Sequence, residues 1–268
     1  MKAIGHIAIN AFRESVRDKV LYNLVLFAVL MMGASYLIGQ LTAGQDVKII
    51  KDLGLAATSI FGLFIAVFIG IGLVSKEVER RSIYSLLSKP IHRYHLIVGK
   101  YLGLSLTLLV NVTIMTVALY AVLFYMQWGV DPIAQRAWDA PALDPRILQA
   151  IGLIFVELML VTGIALFFST FSTPLLSAAL TFGLVIVGHF SSDLRDFQDV
   201  VESSVAQWIA RGIYWVLPNL AQFDVKASVV HGQRVAPGYV GVAIAYAAVY
   251  IALLLTVSTS VFARRDFK

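Results

Sequence analysis

Asp, Glu, Lys and Arg are missing from long unbroken windows of this chain, a pattern that a water-soluble domain cannot sustain. The windows are 20–45, 53–75, 101–130 and 235–263, and from 147 to 192 the only charge is Glu157. A helix needs about 20 residues, at about 1.5 Å each, to cross a hydrocarbon core of roughly 30 Å. The window 147–192 is long enough for two crossings. The polar break Ser169-Thr170-Phe171-Ser172-Thr173-Pro174 divides it, and Pro174 suits the first turn of a following helix. Six spans are therefore expected, with cores near 20–41, 53–75, 101–126, 147–169, 174–190 and 239–262. A further uncharged window, 212–223, is too short to cross and contains Pro218. It reads as a re-entrant or interfacial piece.

Composition agrees with this reading. Of the 268 residues, 59% are hydrophobic and 14% are charged, against about 45–50% and about 25% in an ordinary globular chain. The chain contains no cysteine, which removes disulfides, thiol nucleophiles and thiolate metal sites. The net charge of +5 would suggest nucleic acid for a soluble protein. Here it is sorted by membrane side, so lipid is the partner and nucleic acid is not.

Lysine and arginine are enriched on cytoplasmic loops. With six spans both termini share one side, together with the loop between the second and third spans. That side carries Lys2, Arg13, Arg17, Lys19, Lys76, Arg80, Arg81, Lys89, Arg93, Lys100, Arg264, Arg265 and Lys268, but only five acids. The other side carries eight basic and ten acidic residues. Both termini are expected in the cytoplasm. The expectation is an all-α integral membrane protein forming one domain over 1–268, with no cleaved signal peptide and no internal repeat.

Catalytic signatures do not occur. A phosphate-cradling loop needs G-x-x-x-x-G-K-[ST], yet the one Gly-Lys pair, Gly99-Lys100, is followed by Tyr101 and lacks the earlier glycine. G-x-S-x-G, H-E-x-x-H and G-x-G-x-x-G are also missing. His92 and His95 stand three residues apart, but Lys89, Arg93 and Lys100 surround them and no carboxylate completes a ligand set. They read as part of a solvated basic face. No metal, cofactor or catalytic residue is expected on this chain.

The segment 76–98 carries the most information. Lys76, Glu77, Glu79, Arg80 and Arg81 mix charge signs tightly, and Ile83, Leu86 and Leu87 follow as an apolar stripe. A short amphipathic helix ending before Pro90 is expected. Anionic lipid would select plain basic residues, whereas a protein partner uses both signs to set register.

A glutamate-rich start, then Ser82, Leu86-Leu87, Pro90, Arg93 and Gly99-Lys100 entering the third span, resembles the coupling segment of ABC-2 type transporter permeases. Where that family often has Gly-Thr, this chain has Arg81-Ser82. Trp215-Val-Leu-Pro218-Asn219 is similar to a Leu-Pro-Asn segment before the last span of permeases related to the nitrous-oxide-reductase maturation and gliding-motility systems. The amphipathic stretch 1–19 sets Ile4, Ile7, Ala8, Ala11 and Phe12 against Arg13, Arg17 and Lys19, and it resembles the family's connecting helix.

The resemblance implies an exporter permease fold in the bacterial inner membrane. Two six-span copies would pair as a homodimer, each docked on a separate cytoplasmic ATPase that carries the ATP and magnesium. Glu77, Glu79, Arg80, Arg81, Ser82, Leu86, Pro90, Arg93, Arg13 and Arg17 are then the candidate contacts with that ATPase.

Three features stand outside the coupling segment. Glu157 lies near the middle of the fourth span, where a carboxylate is expensive. It reads either as part of the translocation path or proton-linked gating, or as a fastening between helices, with Asn111, Thr113 or Thr116 as expected partners. The loop 191–238 carries Asp193, Asp196, Asp199 and Glu202, then Val205, Trp208, Ile209 and Trp215. It reads as an interfacial helix anchored by tryptophan, with a docking surface for an extracytoplasmic partner as the alternative. Gly99 and Gly103 form a pair of small residues that permits close helix approach.

Two other functions compete with the permease reading: a membrane-embedded maturation factor or enzyme, and an ion-coupled secondary transporter acting through Glu157. The first lacks a cluster of polar catalytic groups. The second lacks the broken helices such transporters use, because all seven prolines fall in loops or at span ends.

Overall fold

The computed structural model describes residues 2–41, 45–79, 93–136, 138, 140–190 and 217–264, with backbone alone for 2, 73–79, 93, 263 and 264. Every regular element among these residues is helical. In chain order they are α1 (Lys2–Val16), α2 (Lys19–Gln40), α3 (Asp46–Glu79), α4 (Arg93–Gly129), the short α5 (Pro132–Gln135), α6 (Ile147–Ser169), α7 (Pro174–His189), a 3-10 turn (Ala221–Phe223), the short α8 (Lys226–Val230) and α9 (Pro237–Arg264).

Five helices, α2, α3, α4, α6 and α9, are long and apolar enough to cross a membrane. Each covers its expected span. α3 and α4 also run well past the charge-free windows at their ends, α3 taking in Asp46, Lys48, Lys51 and Asp52. Charged residues stop a window on paper, but at the ends of a helix they lie at membrane depths where water and protein partners are within reach. The expected fifth span is α7, whose 16 residues rise about 24 Å and fall short of the roughly 30 Å core.

Local chemistry explains several helix starts. Asp18, Asp131, Asp144 and Asp224 each accept a hydrogen bond from the backbone N–H two residues on, at 3.0, 2.9, 2.9 and 3.2 Å. Asp18 and Asp131 thereby cap α2 and α5, satisfying donors that the first helical turn leaves open, and Asp144 and Asp224 make the same tight turn just ahead of α6 and α8. Pro174 occupies the first turn of α7 with Thr173 before it, and the polar break closes on itself through Ser172 Oγ and Ser177 Oγ, 2.7 Å apart.

α6 is the most enclosed of the long helices, and α9 and α2 are the least. It packs against α3, α9, α4 and α7. Close approach of α3 comes from two glycines: a methyl group on Gly62 would stand 2.5 Å from Leu158 Cδ1, and one on Gly70 would stand 2.7 Å from Ala165 Cβ. Leu55, Ile65, Leu108, Met115, Leu158 and Val161 fill the shared core. Hydroxyls buried in it bond back to carbonyls one turn earlier, as Thr58 does to Gly54 at 2.9 Å and Thr162 to Leu158 at 2.8 Å, so none is left bare in an apolar medium. Leu26, Phe27 and Leu30 of α2, with Val242, Val249 and Leu253 of α9, stay exposed, as side chains bathed by lipid can.

Candidate coupling end, intramembrane carboxylate and outer clasp

Of the coupling-segment residues, Glu77 and Glu79 fall in the last turns of α3 and Arg93 opens α4, with their side chains outside the described residues. Arg80, Arg81, Ser82, Leu86 and Pro90 lie outside them altogether, and so does the amphipathic helix expected before Pro90. Two consecutive helix ends, α3 leaving and α4 entering, therefore bracket the segment. His95 beside it stacks its ring on Tyr94 at 4.1 Å.

At this end, expected to be the inner one, α1 docks on α4. The two small residues of α4 form the seat: a methyl group added at Gly99 would meet Ile7 at 2.8 Å, and one at Gly103 would meet the Ala8 carbonyl at 2.5 Å and Ala11 Cβ at 2.7 Å. The apolar face read from the sequence is the face that packs, with Ala11 and Ser15 buried. Ala11 joins Ile97 and Leu104 of α4, Leu166 of α6 and Phe262 of α9 in one apolar cluster. Arg13 and Arg17 are exposed on the other side, where Arg13 complements the carbonyl end of α1.

Glu157 is the eleventh of the 23 residues of α6 and only 5% exposed. Its partner is His189, the last residue of α7, whose Nε2 stands 3.2 Å from Glu157 Oε1. This replaces the partners expected from the sequence. Asn111 donates to Thr107, Thr113 to Leu109 and Thr116 to Val112, all within α4 and all at 2.7 Å. Those side chains satisfy themselves against their own helix, as short polar groups in spans do. His189 was legible in principle. It follows the tight α6–α7 turn by 15 residues and Glu157 precedes it by 12, so an antiparallel hairpin brings them within about one helical turn of each other.

The opposite end of the bundle, expected to face outward, is held by a polar clasp that the sequence did not signal. Lys51 of α3 is fully buried and its Nζ donates to the Pro141 carbonyl at 2.7 Å. Tyr120 of α4 donates to the Asp144 carbonyl at 3.0 Å. Arg146 lies 3.9 Å from Asp144 through Nη1 and Oδ2, and it also donates to the Gly232 carbonyl. Gly232 has a φ of 68°, and Gln233 and Gly232 bond back to Ser228 and Val229. That is a Schellman end to α8, which only glycine fits without strain. The clasp thus ties α3, α4, the 136–146 connection and the 224–236 connection together.

The Leu-Pro-Asn segment packs inward beside it. Leu220 donates its N–H to the Gly188 carbonyl at 2.9 Å, Asn219 N–H donates to Tyr246 Oη at 2.8 Å, and Leu220 and Phe223 are fully buried. Within the window 212–223 the described part, 217–223, is therefore core-packed on α7 and α9 and not laid on a surface. The acidic run and tryptophans of 191–216 lie outside the described residues.

Among the described residues no group of three or more His, Asp or Glu side chains is arranged to hold a metal ion. A search of the curated proteins finds no match to the chain. The sequence profile described as "ABC-2 family transporter protein" matches residues 6–267. Nearly the whole chain is covered, on an architecture whose described residues include five helices long and apolar enough to cross a membrane, and the protein belongs to the ABC-2 transporter family.

Proposed function

We propose that this multi-pass permease is an exporter subunit which pairs with a second copy and takes its energy from a separate cytoplasmic ATPase. Glu77, Glu79, Arg80, Arg81, Ser82, Leu86, Pro90 and Arg93 form the docking segment in this reading, flanked by Arg13 and Arg17 of α1. The observation that supports it most is the apolar cluster of Ala11, Ile97, Leu104, Leu166 and Phe262. It joins four helices at the end where α4 leaves the docking segment. A push on that segment would enter α4 within its first turns and reach α1, α6 and α9 through packed side chains, which transmit displacement because interiors are dense. The chain supplies motion and a path, and ATP and magnesium bind on the partner.

Glu157 fits this cycle as a fastening between α6 and α7, because it is buried and paired. The test of the proposal is purification of the tagged chain from native membranes in mild detergent, followed by mass spectrometry. The expected result is a stoichiometric partner with a nucleotide-binding motif. Recovery of the chain alone under every salt and nucleotide condition would overturn it.

A further inference from the structure

The hydrogen-bond geometry around His189 fixes where its protons are. Nδ1 stands 3.1 Å from the Val185 carbonyl. A carbonyl only accepts, so Nδ1 carries a hydrogen, and in a neutral ring Nε2 is then a bare acceptor. Nε2 faces Glu157 Oε1 at 3.2 Å, and an ionised carboxylate is also acceptor-only. Two lone pairs do not hold each other at that distance. One proton must therefore lie between them, either on the carboxyl beside a neutral imidazole or on an imidazolium beside a carboxylate. Both forms leave the pair without net charge, as its position in an apolar bundle requires.

We infer that Glu157 and His189 form a proton-binding site whose bound proton fastens α7 to α6. Loss of the proton leaves a charged carboxylate with 7% side-chain exposure and one ring hydrogen for two acceptors, so either Glu157 or the Val185 carbonyl faces a lone pair, and separation of the two helices relieves the uncompensated charge. The proton has a way out, because the His189 side chain is 33% exposed at the end of α7. Electrostatically the imidazole also senses Lys226, which pairs with Asp224 at 3.6 Å. Between Leu53 and Gly72, α3 brings no titratable group to either helix. From α4 and α9 come the tyrosine hydroxyls of Tyr101, Tyr120, Tyr246 and Tyr250.

The inference does not depend on an ATPase partner, so its test uses the full chain alone in lipid nanodiscs. The chain has no cysteine, so Leu148→Cys and Ile186→Cys give two unique spin-label sites on exposed positions near the outer ends of α6 and α7. The expected result is an inter-label distance that lengthens as pH is raised. Glu157→Gln keeps the short distance at every pH, because its amide donates to Nε2 with no titratable proton. His189→Phe loses the short distance at every pH. A wild-type distance that ignores pH, or a Glu157→Gln chain that lengthens as wild type does, would overturn the inference.

Discussion

Gly103 of α4 receives the carbonyl of Ala8 so closely that a single added methyl group would stand 2.5 Å from it. Backbone, not a flexible side chain, is the obstacle, so the contact cannot yield without moving α1. Gly103→Leu is expected to displace α1 and to lower stability by about 1–3 kcal/mol, the range for overpacked interiors. Thermal unfolding in detergent reads the loss, and Gly5→Ala, which meets nothing within 4 Å, should hold or raise the midpoint, because alanine favours a helix over glycine by about 0.5–1 kcal/mol.

Charge reversal tests the docking segment. Glu79→Lys combined with Arg81→Glu is expected to abolish stimulation of the ATPase while the protein stays folded in the membrane. Substrate-dependent ATP turnover at the wild-type level in that double variant would contradict the assignment of this segment to coupling.

Lys51 makes the outer clasp sensitive to one substitution. Lys51→Met removes the donor from the Pro141 carbonyl, a charged hydrogen bond worth about 1.5–3 kcal/mol. The expected consequence is faster proteolysis of the 136–146 connection from the outer face of sealed vesicles. An unchanged cleavage rate would mean that Tyr120 and Arg146 hold the connection without it.

Tyr246 tests the seat of the Leu-Pro-Asn segment. Tyr246→Phe leaves the Asn219 N–H without the acceptor it meets at 2.8 Å, at an expected cost of about 1–3 kcal/mol. Hydrogen exchange at the backbone of 217–223 should quicken, while exchange in the core of α6 stays slow. Equal protection in both proteins would count against the contact.

The charge-free windows made the spans legible, and the amphipathic stripe of 1–19 made α1 legible down to its buried face. Gly99 and Gly103 announced a close approach but not the helix that makes it. Glu157 announced itself as a buried charge, whereas its partner was misread. Asn111, Thr113 and Thr116 look available on paper, yet polar groups on a helix close on their own backbone first. Lys51 counted only as one more basic residue on the outer side, because nothing local distinguishes a lysine that will be buried from one that will be solvated.

From the sequence alone came the membrane setting, the positions of the long apolar helices and the family resemblance. All of these follow from local properties: hydropathy along the chain, Pro174 at a helix start, and a spacing of residues. Only the tertiary structure decided which helix stands at the centre. α2, α6 and α9 are all predominantly apolar, and in lipid an apolar surface has no preference between a neighbouring helix and the bilayer. Shape makes the choice: Gly62 and Gly70 admit α6 against α3, and His189 meets Glu157 only once α7 has folded back along it.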